Sequence, residues 1–329
     1  MTDGPTLRGM QTPDIREATA DDLEACARVW HVSLNDYLIR LNQPEWPFDP
    51  AGITAFYAHL LSTDPARFLV AVRSDPTEAS PGGERIVAFV SAVVRDRLWF
   101  LSMLFVLPEE QGAGVGRELL ERVLPAPDSG LVLGTATDSA QAISNALYSR
   151  CGMVPRMPLL NLSGELRRPA ALGELPDGMT AIAFEEMVAD GDDGRGHRAL
   201  AELVNGLDLA TLGVTHPQDH AWLRVSKRRG FVYRSADGEV LGYGYSSEAG
   251  RVGPIAVLDP SLMAPVLGHL LRAVPPRGAF AIWTPGAAGE AVEMLLDAGL
   301  RLEPFPILLC WSDDVTDFSR YLPISPGLL

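Results

Sequence analysis

Cysteine is scarce in this 329-residue chain, and lysine is scarcer still. Cys26, Cys151 and Cys310 are an odd, scattered set with no spacing of zinc ligands or of a disulfide framework, so the sequence fits a reducing cytosol. Lys227 is the single lysine among 27 basic residues, which reads as coding bias rather than chemistry. Positive charge is in deficit: 27 Lys and Arg face 42 Asp and Glu, a formal net charge of −15. Up to residue 165 the chain has 13 basic against 21 acidic residues, and beyond it 14 against 21. Neither part has the concentrated basic face that neutralises nucleic-acid phosphates, and Lys227-Arg228-Arg229 is too short to change that. Long apolar runs are also missing. Leu98 to Leu107 has ten residues with one serine, about half of a membrane span. The N-terminal MTDGPTLRGMQTPDIRE has no apolar stretch after a basic start, so it does not read as a secretory signal. A cytoplasmic chain without nucleic-acid or membrane partners is expected, with a homodimer left open.

What is present is ordinary globular material, 47% hydrophobic and 21% charged. At about 150 residues per domain, the length suggests two domains. Asp21 or Asp22 precedes an amphipathic helix, Leu23 to Leu38. A second helix is expected from about Ile53 to Leu61 and a strand from Arg67 to Val72. A Pro- and Gly-rich hairpin loop, Asp75 to Arg85, is followed by two long strands, Ile86 to Val94 and Leu98 to Val106. The glycine-rich turn Gln111 to Gly116 then opens a helix, Arg117 to Leu124. A strand Leu131 to Thr135, a helix Ala140 to Arg150 capped by Gly152, and a strand Met157 to Leu162 finish that sheet.

From Ser163 to Gly178 the composition turns to Gly, Pro, Arg and Glu without a period. Beyond it the order recurs, with a helical stretch around Arg198 to Leu207 and strands at Phe231–Arg234, Val240–Tyr245 and Val252–Leu258. A helix Pro265–Ala273, a strand Ala279–Trp283, a helix Gly289–Ala298 and a strand Ile307–Trp311 complete the second set. Phe105 to Leu120 lies against Ala256 to Leu271, and Ser149 to Met153 against Leu296 to Leu300, a duplication with a period of about 150 residues. The boundaries read as a tail 1–13, a first domain 14–165, a linker 166–178 and a second domain 179–329.

The chemistry concentrates at Gln111-Gly-Ala-Gly-Val-Gly116. A strand enters a turn with glycines at 112, 114 and 116, and a helix starts at once. The first N–H groups of a helix have no intrahelical acceptor, and together with the helix dipole they favour an anion such as a phosphate. A dinucleotide fingerprint needs glycine where Arg117 stands, and at least three strands precede the motif, which argues against a nucleotide-binding oxidoreductase. A P-loop would need Gly-Lys-Ser/Thr, which is absent.

The turn fits Q/R-x-x-G-x-G/A and, with the preceding Val-Leu-Pro and the later Asn145, Tyr148 and Gly152, resembles the GNAT superfamily of N-acetyltransferases over residues 14 to 162. The resemblance implies an α/β fold of two tandem GNAT-like domains, each a mixed twisted sheet flanked by helices, with acetyl-CoA as co-substrate. It implies that the backbone of Leu104, Phe105 and Val106 pairs with the pantetheine arm, while Gln111, Gly112, Gly114, Val115, Gly116 and Arg117 surround the pyrophosphate. Asn145 would reach the pantetheine, and Tyr148 would protonate the departing thiolate after a small-molecule amine attacks the thioester directly. The alternative is an acyl-CoA-binding sensor without turnover. No general base is assigned: Leu98 to Val106 has no glutamate, Glu109 and Glu110 read as a solvated loop, and Asp96, His31, Asp36 and Tyr37 stay open.

In the second copy Gln111 becomes Leu262, Gly112 Met263, Gly114 Pro265, Gly116 Leu267, Asn145 Val292 and Tyr148 Leu295, so a fold without a donor site is expected. His216 and His220 stand four apart, but the intervening proline and the lack of a third ligand argue against a metal.

Overall fold

The computed structural model describes residues 12–75, 83–188 and 194–329. The tail expected over residues 1–13 and the hairpin loop expected over Asp75 to Arg85 lie mostly outside them. The chain divides into two compact units, Met1–Val93 with Leu101–Ser129, and Val94–Phe100 with Gly130–Leu329.

The first unit contains β1 (Asp14–Glu17), α1 (Leu23–Arg40), α2 (Pro50–Thr63), β2 (Phe68–Ser74), most of β3 (Glu84–Arg95) and β4 (Leu98–Val106), and α3 (Val115–Val123). Strand β1 runs antiparallel to β2 with Ile15 opposite Ala71, and β2 antiparallel to β3 with Leu69 opposite Val90. Buried apolar residues run almost without interruption along β2 and β3, the pattern of strands covered on both faces. An aromatic core forms behind them: Tyr57 lies 5.3 Å from Phe89, which stacks at 5.8 Å on Phe105. At the start of α1, Asp22 reaches back to the Thr19 N–H at 2.7 Å while Arg16 grips its carboxylate at 2.7 and 2.9 Å. Thr19 and Asp22 thus form a capping box, a sharper arrangement than either aspartate acting as a simple cap.

In the second unit are β5 (Val132–Asp138), α4 (Ala142–Arg150), β6 (Val154–Gly164), β7 (Thr180–Ala183), α5 (Phe184–Met187), α6 (Arg195–Thr211), α7 (Pro217–Val225), β8 (Arg229–Arg234), β9 (Val240–Ser246) and β10 (Val252–Val257). It continues with α8 (Met263–Ala273), β11 (Phe280–Pro285), α9 (Gly289–Asp297), β12 (Arg301–Leu302), β13 (Ile307–Trp311) and β14 (Tyr321–Leu322). One set of strands runs β5-β13-β6-β11, and a five-stranded sheet runs β14-β10-β9-β8-β7. The order strand, 3-10 turn, helix, strand, helix, strand holds from β4 to β6 and again from β10 to β13, where the two-residue β12 is added before β13. The fold is mixed α/β, with helices flanking the sheets.

The expectation that Met157–Leu162 ends the first sheet and Ile307–Trp311 completes the second is overturned. Strand β13, the last of the second set, enters between β5 and β6 of the first. It is antiparallel to both, with Leu309 opposite Ala136 on one side and Met157 on the other. In turn β6 pairs with β11, Leu162 facing Ile282. An apolar strand reads the same whichever edge it pairs with, so its sequence cannot name its neighbours. Short β1, β7 and β14 and the proline-initiated α7 also escape periodicity.

Residues 166–178, aperiodic in sequence, pack closely. The N–H groups of Arg167 and Arg168 both donate to Ala298 O at 2.9 Å, Leu172 is buried, and Gly173 lies against α8. A Cβ on Gly268 would come within 2.5 Å of Gly173 O.

The β5–β13 register is held by Gly134 opposite Trp311. A Cβ on Gly134 would lie 2.7 Å from the Trp311 ring and 3.1 Å from Phe100. Gly134→Ala is therefore expected to cost about 1–3 kcal/mol of stability by overpacking. Chemical denaturation of Gly134→Ala with and without Trp311→Leu should show partial recovery in the double variant. A neutral Gly134→Ala would refute this register.

Candidate functional site

Strand β4 leads through a 3-10 turn, Pro108–Glu110, into the glycines and then into α3. Two ion pairs hold this connection in the first unit. The buried Glu110 carboxylate takes two hydrogen bonds from Arg73 of β2, both 2.7 Å, and Glu109 pairs with Arg85 of β3 at 2.5 Å. Glu110 corrects the reading of this stretch as a solvated loop: its charge is buried because a guanidinium fork meets both oxygens.

Gly112 and Gly114 have φ of +82° and +91°, and a Cβ at either would meet nothing within 4 Å. Glycine is needed there for backbone conformation, not for space. At Gly116 the reason differs, since a Cβ would press on Val106 Cγ2 at 3.2 Å. The Glu118 N–H is the first to reach back, to Gly114 O at 3.0 Å, which leaves Val115, Gly116 and Arg117 without an acceptor inside the helix. Three N–H groups, the positive end of α3 and the exposed Arg117 together make a seat for an anion.

Gln111 is committed elsewhere. Its side-chain amide donates to Val106 O at 3.0 Å and its N–H to Pro108 O at 3.3 Å, so it braces the turn. Ser33 of α1 donates to the same Val106 O at 3.0 Å, which saturates that carbonyl. Leu104 and Phe105 are half-buried along the end of β4. The structure thus gathers residues 104–106 and 111–117 in the first unit.

Asn145 and Tyr148 lie on α4, in the second unit. The Asn145 amide donates to Asp138 O at 3.0 Å and to Gln141 O at 2.9 Å, tying α4 to the end of β5. Its buried Oδ1 has no hydrogen-bond partner among the described residues. Tyr148 is buried; burial pushes its phenol up, against a hydrogen bond with Ser144, so it stays protonated near neutrality.

The candidates for a base are all engaged in local structure. His31 Nε2 lies 2.8 Å from Trp46 O and 2.9 Å from Asn35, and Asp36 pairs with Arg40 at 2.9 Å. Tyr37 is buried, and Asp96, at φ +53°, makes the turn before β4 rather than after it. In the second copy α8 starts at Met263, so the residues aligned with Gly112 and Gly114 are already helical, and Met263 and Leu267 are buried.

Tertiary structure also gathers a group that sequence reading dismissed. His216 caps α7 and Pro217 is its first residue, so the proline starts the helix instead of breaking the pair. Asp208 of α6 supplies the third member, its Oδ2 lying 2.7 Å from His220 Nε2 and 3.3 Å from His216 Nε2. Against the cost of burial, the two imidazoles hold the Asp208 carboxyl well below its usual range, and Asp208 with Asp219 raises His216. Asp219 is met by Arg95 at 2.7 and 2.8 Å. Nothing within the His216–His220 segment reveals Asp208, which lies outside it in sequence.

Comparison with known proteins places these features. Residues 32–153 match the acetyltransferase (GNAT) family. An inferred acetyltransferase from Pyrococcus horikoshii shares the fold over 100% of both chains, with a TM-score of 0.69 at 14% identity. A GCN5-related N-acetyltransferase from Sphaerobacter thermophilus matches over 93% of this chain and 98% of its own, at TM-score 0.57 and 17% identity. A tandem GNAT protein of the clavulanic acid biosynthesis pathway matches over 92% and 99%, at TM-score 0.51 and 14% identity. No curated protein sequence matches. No helix among the described residues is long and apolar enough to cross a membrane. The glycine turn between β4 and α3 lies inside the segment that matches the acetyltransferase (GNAT) family, in a chain whose fold is similar to that of a tandem GNAT protein.

Proposed function

We propose that this chain transfers an acetyl group from acetyl-CoA to the amine of a small molecule, with the donor held by the first copy, residues 14–165, and the second copy lacking a donor site. The observation that carries the reading is the turn. Two left-handed glycines present the unpaired N–H groups of Val115, Gly116 and Arg117 to one anion, and they do so inside the segment that matches the acetyltransferase family. These groups suit a pyrophosphate, which accepts hydrogen bonds at many oxygens. The orphaned Asn145 Oδ1 suits a partner with amide N–H groups, as pantetheine has. Since Val106 O is saturated by Ser33 and Gln111, pairing of the pantetheine with Leu104, Phe105 and Val106 would proceed without that carbonyl.

When bound, acetyl-CoA supplies a thioester carbon open to direct attack by an amine. Tyr148 is assigned the proton for the departing thiolate, a role for which burial keeps its phenol protonated. The amine must arrive neutral, since an alkylammonium has a pKa near about 10. No carboxylate stands on β4 to take that proton. That observation keeps a second reading, an acyl-CoA-binding protein without turnover. The acidic composition, without a concentrated basic face, supports a cytoplasmic enzyme acting on neither nucleic acid nor lipid.

Release of free thiol from acetyl-CoA across a panel of amines separates the two readings: turnover above the no-amine background is expected. Tight acetyl-CoA binding with no turnover on any amine would favour the sensor, and thermal stabilisation by NAD alone would exclude both. Gly114→Pro cannot adopt a φ of +91°, so it should lower acetyl-CoA affinity at least about tenfold while the circular dichroism spectrum is unchanged. Unaltered affinity would sink the pyrophosphate assignment. Tyr148→Phe should reduce kcat about 10–100-fold with little effect on acetyl-CoA affinity, and an equal rate would remove the phenol from the mechanism.

A further inference from the structure

The second unit holds a buried polar cluster that the donor site does not use. Asp208, His216 and His220 are each at most 3% exposed, and they are overlain by Tyr243 and Tyr245 of β9 and Tyr321 of β14, all fully buried. Its atoms sort into an outer and an inner set. Each outer atom faces a protein partner. Asp208 Oδ1 accepts a short hydrogen bond from Tyr243, His220 Nδ1 lies 3.1 Å from Tyr245 OH, and His216 Nδ1 lies 3.5 Å from Asp219, which Arg95 holds in turn. The three inner atoms, Asp208 Oδ2, His216 Nε2 and His220 Nε2, all lie within 4.8 Å of one another. Tyr321 OH adds a fourth oxygen 3.3 Å from His216 Nε2.

We propose that Asp208, His216 and His220 bind one divalent transition-metal ion, of which zinc is the best match, as a structural centre of the second copy. Two imidazole nitrogens and one carboxylate oxygen are a borderline donor set that suits zinc and its neighbours better than calcium or magnesium. Two outer atoms are hydrogen-bonded in the manner that orients metal ligands, a phenol behind His220 and a phenol behind the Asp208 carboxylate, and the Asp219 carboxylate stands 3.5 Å behind His216. Tetrahedral ligands bonded at about 2.0–2.2 Å stand about 3.3 Å apart. His216 Nε2 already keeps 3.3 Å from both Asp208 Oδ2 and Tyr321 OH, and His220, at 2.7 Å from Asp208, needs to retreat by about half an ångström. To ligate through Nε2 each imidazole must carry its hydrogen on Nδ1, toward Asp219 in His216 and toward Tyr245 in His220. Burial of every ligand leaves no route for a substrate, hence a structural role. This inference does not depend on the acetyltransferase reading.

The test uses the full-length chain without a histidine tag. Elemental analysis should find close to one zinc per chain after purification, or after zinc is returned to protein stripped with EDTA. Zinc should raise the Tm of the stripped protein by about 5 °C or more. Cobalt(II) in place of zinc should give the visible bands of a tetrahedral site. His220→Gln should lose the ion and the zinc-dependent rise, while His197→Gln, on an exposed histidine of α6, should keep both. If His220→Gln does not fold, the wild-type stoichiometry and cobalt spectrum decide alone. Substoichiometric zinc, with no cobalt bands and a Tm indifferent to zinc and EDTA, would overturn the proposal and leave a charge-balanced hydrogen-bond network. Full zinc retention by a folded His220→Gln would overturn the ligand assignment.

Discussion

Strand β13 is paired along both edges, and the second unit depends on that double pairing. Were β13 absent, β5 and β6 would each present a row of unpaired backbone groups to water or to other chains. Its five residues close both edges, and the buried Trp311 fills the space above Gly134 beside Phe100. Because β13 comes from the end of the second copy and β6 from the end of the first, the two copies cannot be assigned separate sheets. The duplication is a fact of sequence; the compact units follow where strands pair, and so their boundaries fall elsewhere.

Within this frame the two copies have diverged by exchanging backbone geometry for side-chain burial. In the first copy, left-handed glycines hold the chain open before α3 and leave N–H groups for an anion. In the second, the same positions are wound into the first turn of α8, where Met263 and Leu267 join an apolar core with Leu172 of the connecting segment. A helix that begins earlier satisfies its own backbone, and a proline at 265 donates nothing. The missing left-handed turn and the packing surface that stands in its place are thus one difference between the two segments.

Two of the buried charges among the described residues are held in forks. Arg73 with Glu110 and Arg95 with Asp219 are bidentate pairs, the geometry in which attraction offsets desolvation. The first steadies the glycine turn before α3. The second supports the cluster at Asp208, so that the same device serves the glycine turn in one unit and the candidate metal centre in the other.

Much of this protein was legible without coordinates. Hydrophobic periodicity located most helices and strands within a few residues, the repeat was visible in two aligned segments, and the glycines at 112, 114 and 116 announced a sharp turn before α3 because backbone conformation is a local property. The residues behind that turn were less legible: Glu110 looked solvated until its partner Arg73, 37 positions away, was placed beside it. Strand β13 gave no sign of its neighbours, since alternation of apolar residues specifies a face and not an edge. His216 and His220 looked like an incomplete pair until α6 brought Asp208 to them. Sequence alone determined the elements, the duplication and the donor motif, all written in short-range order. Tertiary structure decided which strands pair, which charges are neutralised and which side chains converge, because those depend on contacts between residues that the chain keeps far apart.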